Sequence, residues 1–216
     1  MKQPAVLRKS IFAFINVVVI KLFSFAKFSF ILGSYSAFFS MTATIMPIVG
    51  WVGGMQTAFF TFALSMIIRL LSGSFPLHFL AFYVPGLFAA YSLSTTSKIA
   101  KVIPSLLCIF LFICHPIGAS AALYSLFWVI PIFCAFYLPQ NIFAKALSST
   151  FIAHAVGSVI WLYTVPMSAN QWLMLIPIVM VERFFFAFLI VVGYKVVSSI
   201  QEHAKYLSLK KTYKVV

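Results

Sequence analysis

The sequence predicts an all-α, polytopic transmembrane helix bundle with six to eight spans, and three observations support this prediction. Hydrophobic residues make up 63% of the chain and charged residues 8%, whereas a soluble domain carries about 25% charged residues. Apolar stretches recur along the whole chain with the length of roughly 20 residues that a helix needs to cross a bilayer. The alternation of apolar and polar residues that is typical of an outer-membrane β-barrel is absent.

The charges predict partners and orientation. The formal net charge is +13, and most Lys and Arg residues lie at the ends of apolar segments. This is the positive-inside distribution of a membrane protein, so we expect membrane lipids and not nucleic acid as partners. We expect a basic cytoplasmic leader over residues 1–10, a transmembrane domain over 11–197 and a basic cytoplasmic tail over 198–216. Both termini then lie on the cytoplasmic side of the inner (cytoplasmic) membrane, which requires an even number of spans.

The first half of the chain has apolar stretches of unequal length. Residues 11–33 predict a first span, or an interfacial helix whose lysines reach toward the headgroups. Further spans are expected over residues 35–49, 55–71 and 78–93, and the WVGG sequence at 51–54 predicts a break or a close-packing point.

The second half predicts more regular spans. Residues 102–113 run into a Pro-Gly interruption at 114–118, and spans are expected over 119–138, 142–165 and 171–197. The count is eight spans if residues 11–33 and 35–49 both cross the membrane. It is six if two of the early pieces cross only in part or lie at the interface.

The loops between these spans differ in charge, which predicts their sides. The basic loop at 94–101 and the turn before Lys145 are expected inside the cell. The uncharged turns at 116–119 and 166–170 are expected outside.

The stretch Gln171–Val197 carries Glu182 and Arg183 near its middle, so it would place an acid and a base close to the bilayer midplane. An ionisable residue there costs at least about 2.5 kcal/mol, and it normally faces a partner or a wet cavity. Glu182 is also one of only two acidic residues in the protein. We therefore expect the other spans to pack around this position.

His154 lies in the middle of the preceding span and shares a helix face with Ser158 and Trp161, because the spacing is i, i+4 and i+7. A short turn joins this helix to the helix of Glu182, so the two should be antiparallel neighbours. His154 and Glu182 each lie about 12 residues from that turn, which predicts a contact between them. Two interpretations stay open, a structural pair that fixes helix packing and a cavity that hydrogen-bonds a polar solute.

Two further residues are candidates for the same solute site. Trp161 is expected to stack on the ligand, and its alternative is an interfacial or core aromatic. His115 would add a hydrogen-bond donor if the interruption at 114–118 reaches the cavity, and otherwise it caps a helix end. The candidate substrate-binding residues are therefore Glu182, Arg183, His154, Ser158, Trp161 and His115. No cofactor or metal is expected, because the three cysteines lack CxxC spacing.

A resemblance to a known family lies in residues 42–73, TATIMPIVGWVGGMQTAFFTFALSMIIRLLSG. This stretch resembles the membrane-embedded substrate-binding subunits, or S components, of energy-coupling-factor (ECF) vitamin transporters. In the biotin-binding members a Thr-led helix ends in a Gly-x-x-x-Gly-like turn, and Thr44, Gly50 and Gly54 match that pattern. The Gly-Pro-Thr-Gly-Gly-Tyr signature of those members is absent, so biotin is not inferred as the ligand.

The resemblance implies a function and partners. It implies uptake of a vitamin- or metabolite-like solute captured near the outer face. It also implies a transmembrane coupling subunit and two ATPases, because this chain has no P-loop of its own.

Three alternatives to a transport subunit remain. A membrane-embedded enzyme could use Glu182 and a histidine, although the double-Glu motif of CAAX-type proteases and a GxSG serine motif are absent. A haem or quinone protein could use His78, His115 or His154, but two axial histidines must face each other at one depth. A non-catalytic accessory protein is the third alternative. We expect solute binding without catalysis.

Overall fold

The computed structural model describes residues 15–19, 27–30, 38–40, 42–72 and 80–213, and this part of the chain is mainly a helical bundle. The helical fold class predicted from the sequence is therefore confirmed. The predicted basic leader over residues 1–10 lies outside the described residues, as does His78.

The first predicted span is wrong in part. Residues 15–19 are helical, but Lys27–Phe30 form a strand, β1, that pairs antiparallel with a second strand, β2, over Phe38–Ser40. Polar and aromatic residues alternate in KFSF, and this period of two favours a strand over a helix. The helix predicted over residues 11–33 is thus replaced by a strand at 27–30, and the span predicted over 35–49 contains a strand at 38–40 before the helix that begins at Thr42.

Helix α1 spans Thr42–Leu71 and changes direction at Gly54, where φ is +76° and ψ is 170°. Residues other than glycine rarely adopt such a positive φ. The break predicted at 51–54 is therefore confirmed as a kink at its last glycine.

Helix α2 spans Leu80–Ser94 and packs closely against α1. A Cβ atom added at Gly50 of α1 would lie 2.5 Å from the Ala90 Cα atom of α2. The two backbones can approach this closely only because position 50 has no side chain. On its other side α2 contacts the central helix, where the Ser149 hydroxyl donates to the Ala89 carbonyl at 3.3 Å.

The middle of the chain is broken into short helices. The helices are α3 (Ile99–Cys114), α4 (Pro116–Ser120), α5 (Ala122–Ser125), a 3₁₀ helix (Leu126–Val129) and α6 (Ile130–Tyr137). Pro116 has no N–H to continue α3, so the interruption predicted at 114–118 is confirmed. The span predicted over residues 119–138 corresponds for the most part to one shorter apolar helical stretch, Ala122–Tyr137, in which the turn Leu126–Val129 is a 3₁₀ helix.

Helix α7, Ile142–Thr164, is the centre of the bundle and agrees with the span predicted over 142–165. The Asn141 side chain accepts a hydrogen bond from the Ala144 N–H and caps its first turn. Helix α7 packs against α2, α3, α6 and the last helix of the chain. Thirteen of its residues are buried, which explains why polar groups on α7 must find partners inside the protein.

The stretch predicted over Gln171–Val197 forms two helices. Helix α8 spans Ala169–Met174 and begins with a capping box between Ser168 and Gln171. Helix α9 spans Ile176–Tyr213. Pro177 follows directly, and since it has no N–H, the hydrogen-bond ladder is interrupted between α8 and α9.

Three helical segments in the described residues are long and apolar enough to cross a membrane, namely Ala43–Ile68, Ile142–Thr164 and Ile176–His203. Helix α3 is shorter but presents a row of exposed apolar side chains, which includes Ile103, Leu107 and Phe110. A face of this kind is stable against hydrocarbon and not against water. The membrane class is supported, while the count of six to eight spans stays a prediction.

Candidate functional site

Glu182 and Arg183 form a buried ion pair near the start of α9. Arg183 Nη2 donates to Glu182 Oε2 at 3.2 Å; the Arg183 side chain is 4% exposed and the Glu182 side chain is 10% exposed. A guanidinium–carboxylate hydrogen bond is usually about 2.7–2.9 Å long and is often bidentate. This pair makes one long bond, and within the described residues Glu182 Oε1 is buried with no hydrogen-bond partner.

The arginine is held in place by a hydroxyl on the neighbouring helix α7 and by an aromatic ring on its own helix. The Thr150 hydroxyl of α7 donates to the Arg183 backbone carbonyl at 3.3 Å and to the Leu147 carbonyl at 2.8 Å. The Arg183 guanidinium lies 4.9 Å from the centre of the Phe186 ring, a cation–π contact one helical turn further along α9. The base of the ion pair is thus part of the α7–α9 packing.

His154 makes its hydrogen bonds with other residues. Its Nε2 atom lies 2.8 Å from the Tyr124 hydroxyl of α5 and 3.5 Å from the Ser158 hydroxyl one turn along α7. The Tyr124 and Ser158 hydroxyls lie 3.3 Å apart. Tyr124 donates to Nε2 when the imidazole proton is on Nδ1, and it accepts when the proton is on Nε2. All three side chains are buried.

The predicted Glu182–His154 contact is wrong, and the register of the two helices gives the reason. The bond from Thr150 to Arg183 places the ion pair beside Thr150, four residues or about 6 Å of helix rise before His154. Helix α8 takes up the first turns of the returning chain, so equal counts from the turn at 166–170 do not give equal depth.

The ion pair and the histidine nevertheless belong to one polar region. The bond from Thr150 places the ion pair about one turn of α7 before His154, and His154 is bonded to the Tyr124 hydroxyl. Charges interact strongly over such distances in a buried environment of low dielectric constant. We call Glu182, Arg183, Tyr124, His154 and Ser158 the Glu182 cluster.

Aromatic rings surround Tyr124. Its ring centre lies 5.0 Å from that of Trp172 in α8 and 6.0 Å from that of Trp128 in the 3₁₀ helix, and Phe112 of α3 stacks on it at 5.6 Å. In the described residues the indole N–H groups of Trp128 and Trp172 are buried and have no hydrogen-bond partner. Buried indole N–H groups normally have a hydrogen-bond acceptor, so these two donors are further buried polar groups without a partner.

Trp161 and His115 make hydrogen bonds with residues outside the Glu182 cluster. The Trp161 indole N–H donates to Met167 Sδ at 3.1 Å, beyond the end of α7. The His115 Nδ1 atom accepts from the Ile117 N–H and caps α4, and its ring meets Tyr163 edge-on at 5.0 Å. Tyr163 follows His154 by nine residues, or about 13 Å of rise. The capping alternative for His115 is therefore the one observed.

Sequence reasoning found four residues of this region and missed the residues that link them. Tyr124, Trp128 and Trp172 complete the site, and none of them was among the candidate site residues. A tyrosine inside an apolar stretch is itself a signal, because its hydroxyl needs a partner when buried. The partner could not be identified, since the broken helices at 116–137 place Tyr124 beside α7 only in the tertiary structure.

The described residues contain no group of three or more His, Cys, Asp or Glu side chains that could hold a metal ion. No protein-family model, curated protein or solved structure matches this chain. The resemblance of residues 42–73 to ECF S components therefore stays a prediction.

Proposed function

We propose that this protein binds a small polar solute at the Glu182 cluster and moves it across the membrane. In this proposal the chain is the substrate-specific subunit of a transporter. A bundle of six to eight spans in the cytoplasmic membrane holds the site, and a separate coupling subunit with ATPases supplies the energy.

The single observation that supports the proposal is that Glu182 Oε1 is buried and has no hydrogen-bond donor within the described residues. A carboxylate that served only to fix helix packing would be expected to use both oxygens, because an unsatisfied buried polar group costs about 1–3 kcal/mol and more when charged. One long bond to Arg183 leaves an oxygen available for a donor group on a solute. Ionisable residues inside a membrane usually mark such solute or ion pathways.

The surroundings of Glu182 indicate the chemistry of the solute. The Glu182 carboxylate can accept a hydrogen bond from a donor group, whereas the indole N–H groups of Trp128 and Trp172 can donate to an acceptor. Aromatic rings next to these groups favour a solute with a flat or apolar part. We therefore expect a small molecule that carries both a donor and an acceptor. Because every member of the Glu182 cluster is less than a tenth exposed, the solute must enter when the helices around it separate.

The test is native mass spectrometry of the gently purified protein, with wild type beside Glu182→Gln. We expect the wild type to carry a small molecule that the variant loses, because the amide removes the charge that orients the donor. Glu202→Gln is the matched control, since Glu202 lies exposed on the same helix, and it should keep the molecule. Co-purification of a second membrane protein with ATPases would support the subunit role.

Two outcomes contradict the proposal. The first is an empty wild type, and the second is a molecule retained equally by Glu182→Gln. If Glu182→Gln does not fold, Ser158→Ala takes its place, because it removes a hydroxyl from the cluster without leaving a charge unpaired.

The enzyme and the haem or quinone alternatives gain no specific support from these contacts. Glu182 and His154 bond to different partners, and His154 and His115 do not face each other. Both alternatives stay open to direct assay.

A further inference from the structure

Three lysines lie at one end of the bundle, where α3 and α7 begin. Lys98 precedes α3, Lys101 lies in its first turn, and Lys145 lies in the first turn of α7. The two helices run in the same direction, because the Tyr163 hydroxyl near the end of α7 donates to the Leu111 carbonyl near the end of α3 at 2.9 Å. Their first turns therefore meet at the opposite end, on the side that the charges predict to be cytoplasmic.

Lys101 is largely buried, and no acidic side chain of the described residues pairs with it. The residue is 7% exposed, and in the described part of the chain no carboxylate forms an ion pair with it. The Lys145 ammonium is close enough to repel it. Buried lysines are normally paired, so this arrangement leaves a positive site without its counter-charge.

The protein has no carboxylate to supply that counter-charge. Its two acidic residues are Glu182 and Glu202. Glu182 is bonded to Arg183, which lies beside Thr150 and thus about 7 Å of rise from Lys145. Glu202 is a further 19 residues along the continuous helix α9, or about 28 Å beyond Arg183. Neither acidic side chain therefore neutralises Lys101, and an anion from outside the chain can do so.

The backbone adds to the positive potential at the same place. Helix α3 has 16 residues and no side chain that caps its first turn. The N–H groups at a helix start and the positive end of the helix dipole favour an anion there. Lys98 also lies one turn before Lys101, with its ammonium 4.6 Å from the centre of the Phe136 ring of α6.

We propose that Lys98, Lys101 and Lys145, together with the Ile99 and Ala100 amides at the start of α3, bind a phosphate group. The phosphate belongs either to the headgroup of an anionic lipid or to a free phosphate in the cytoplasm. This site is separate from the Glu182 cluster, and the inference does not depend on the proposed transport function.

The experiment is a titration of delipidated protein in an uncharged detergent, followed by native mass spectrometry. One arm uses short-chain phosphatidic acid and the other uses inorganic phosphate. We expect a saturable one-to-one adduct on the wild type, and Lys101→Gln should weaken it roughly tenfold, as for the loss of one hydrogen bond to a charged group. Lys195→Gln is the matched control, because Lys195 is exposed on α9, and it should bind as the wild type does.

The two arms distinguish the sources. An adduct with phosphatidic acid alone assigns the site to a lipid headgroup, and an equal adduct with inorganic phosphate assigns it to free phosphate. The inference is overturned if the wild type binds neither probe, or if Lys101→Gln binds as tightly as the wild type. Circular dichroism checks the fold of each variant. If Lys101→Gln is unfolded, Lys145→Gln and the exposed Lys98→Gln carry the same expectation.

Discussion

At the scale of single residues, the protein depends on a buried pair of opposite charges that is incompletely satisfied. Removing two charges from water costs several kcal/mol per ion, and one 3.2 Å bond offsets only part of that cost. Thr150 and the Phe186 ring add further contacts to Arg183. In the proposed function, the Glu182 oxygen that has no partner within the described residues distinguishes a binding site from a purely structural ion pair.

The ion pair gives a first stability prediction. Arg183→Met should lower the free energy of unfolding by about 3–5 kcal/mol, because it leaves the Glu182 carboxylate buried without a partner. The double variant with Glu182→Met should be less destabilised than Arg183→Met, since no charge stays buried. The measurement is denaturant unfolding in detergent micelles, with the exposed Glu202→Gln as the control. A double variant as unstable as the sum of the single variants would show that the pair is not coupled.

At the scale of the elements, glycines decide how closely the helices pack. Gly50 brings α1 against the Ala90 backbone of α2, and Gly193 of α9 faces the Ile48 side chain of α1. The same small residues carried the resemblance of residues 42–73 to a family, but packing within the chain accounts for Gly50. Gly54 has a different role, because its positive φ forms the kink.

The α1–α2 contact gives a second stability prediction. Gly50→Ala should destabilise the protein by about 1–3 kcal/mol, because the new methyl group would overlap backbone atoms that cannot move alone. Gly86→Ala is the matched control, since its Cβ would meet only the Met46 side chain, at 3.1 Å. Thermal unfolding of both variants in detergent checks the difference. Equal midpoints for the two variants would argue against a backbone contact at Gly50.

At the scale of the whole molecule, the loops of the described helices gather at two opposite ends of the central helix α7. The basic loop between α2 and α3 and the turn before α7 lie at the end where the lysines gather, and the start of α8 lies at the other end of α7. The structure therefore groups the loops in the way that the positive-inside rule predicts.

Labelling of introduced cysteines tests this orientation. In a background with Cys108→Ala, Cys114→Ala and Cys134→Ala, Asn170→Cys should react with a membrane-impermeant maleimide in intact cells. Thr96→Cys should react only after the membrane is opened, because the basic loop is expected in the cytoplasm. Both positions are exposed, so the reaction depends on which side of the membrane each residue lies and not on its burial in the protein. Reaction of Thr96→Cys alone in intact cells would reverse the assigned topology.

The sequence by itself determined the helical membrane class, the break at 51–54, the interruption at 114–118 and the central helix over 142–164. These features are local, since composition, glycine, proline and the length of an apolar stretch act within one segment. It also placed Glu182 and Arg183 inside a span, because an acid and a base in an apolar stretch are visible without a fold. The hairpin of Lys27–Phe30 with Phe38–Ser40 was missed because its segment is apolar enough to be interpreted as a span.

Only the tertiary structure decided which polar groups meet. The register between α7 and α9 depends on the path of α8, so His154 bonds with Tyr124 and not with Glu182. The gathering of Lys101 with Lys145 depends likewise on α3 and α7 running in the same direction. Hydrogen bonds are sensitive to shifts of a few tenths of an ångström, whereas residue counts along a chain with broken helices fix depth only to within several ångströms.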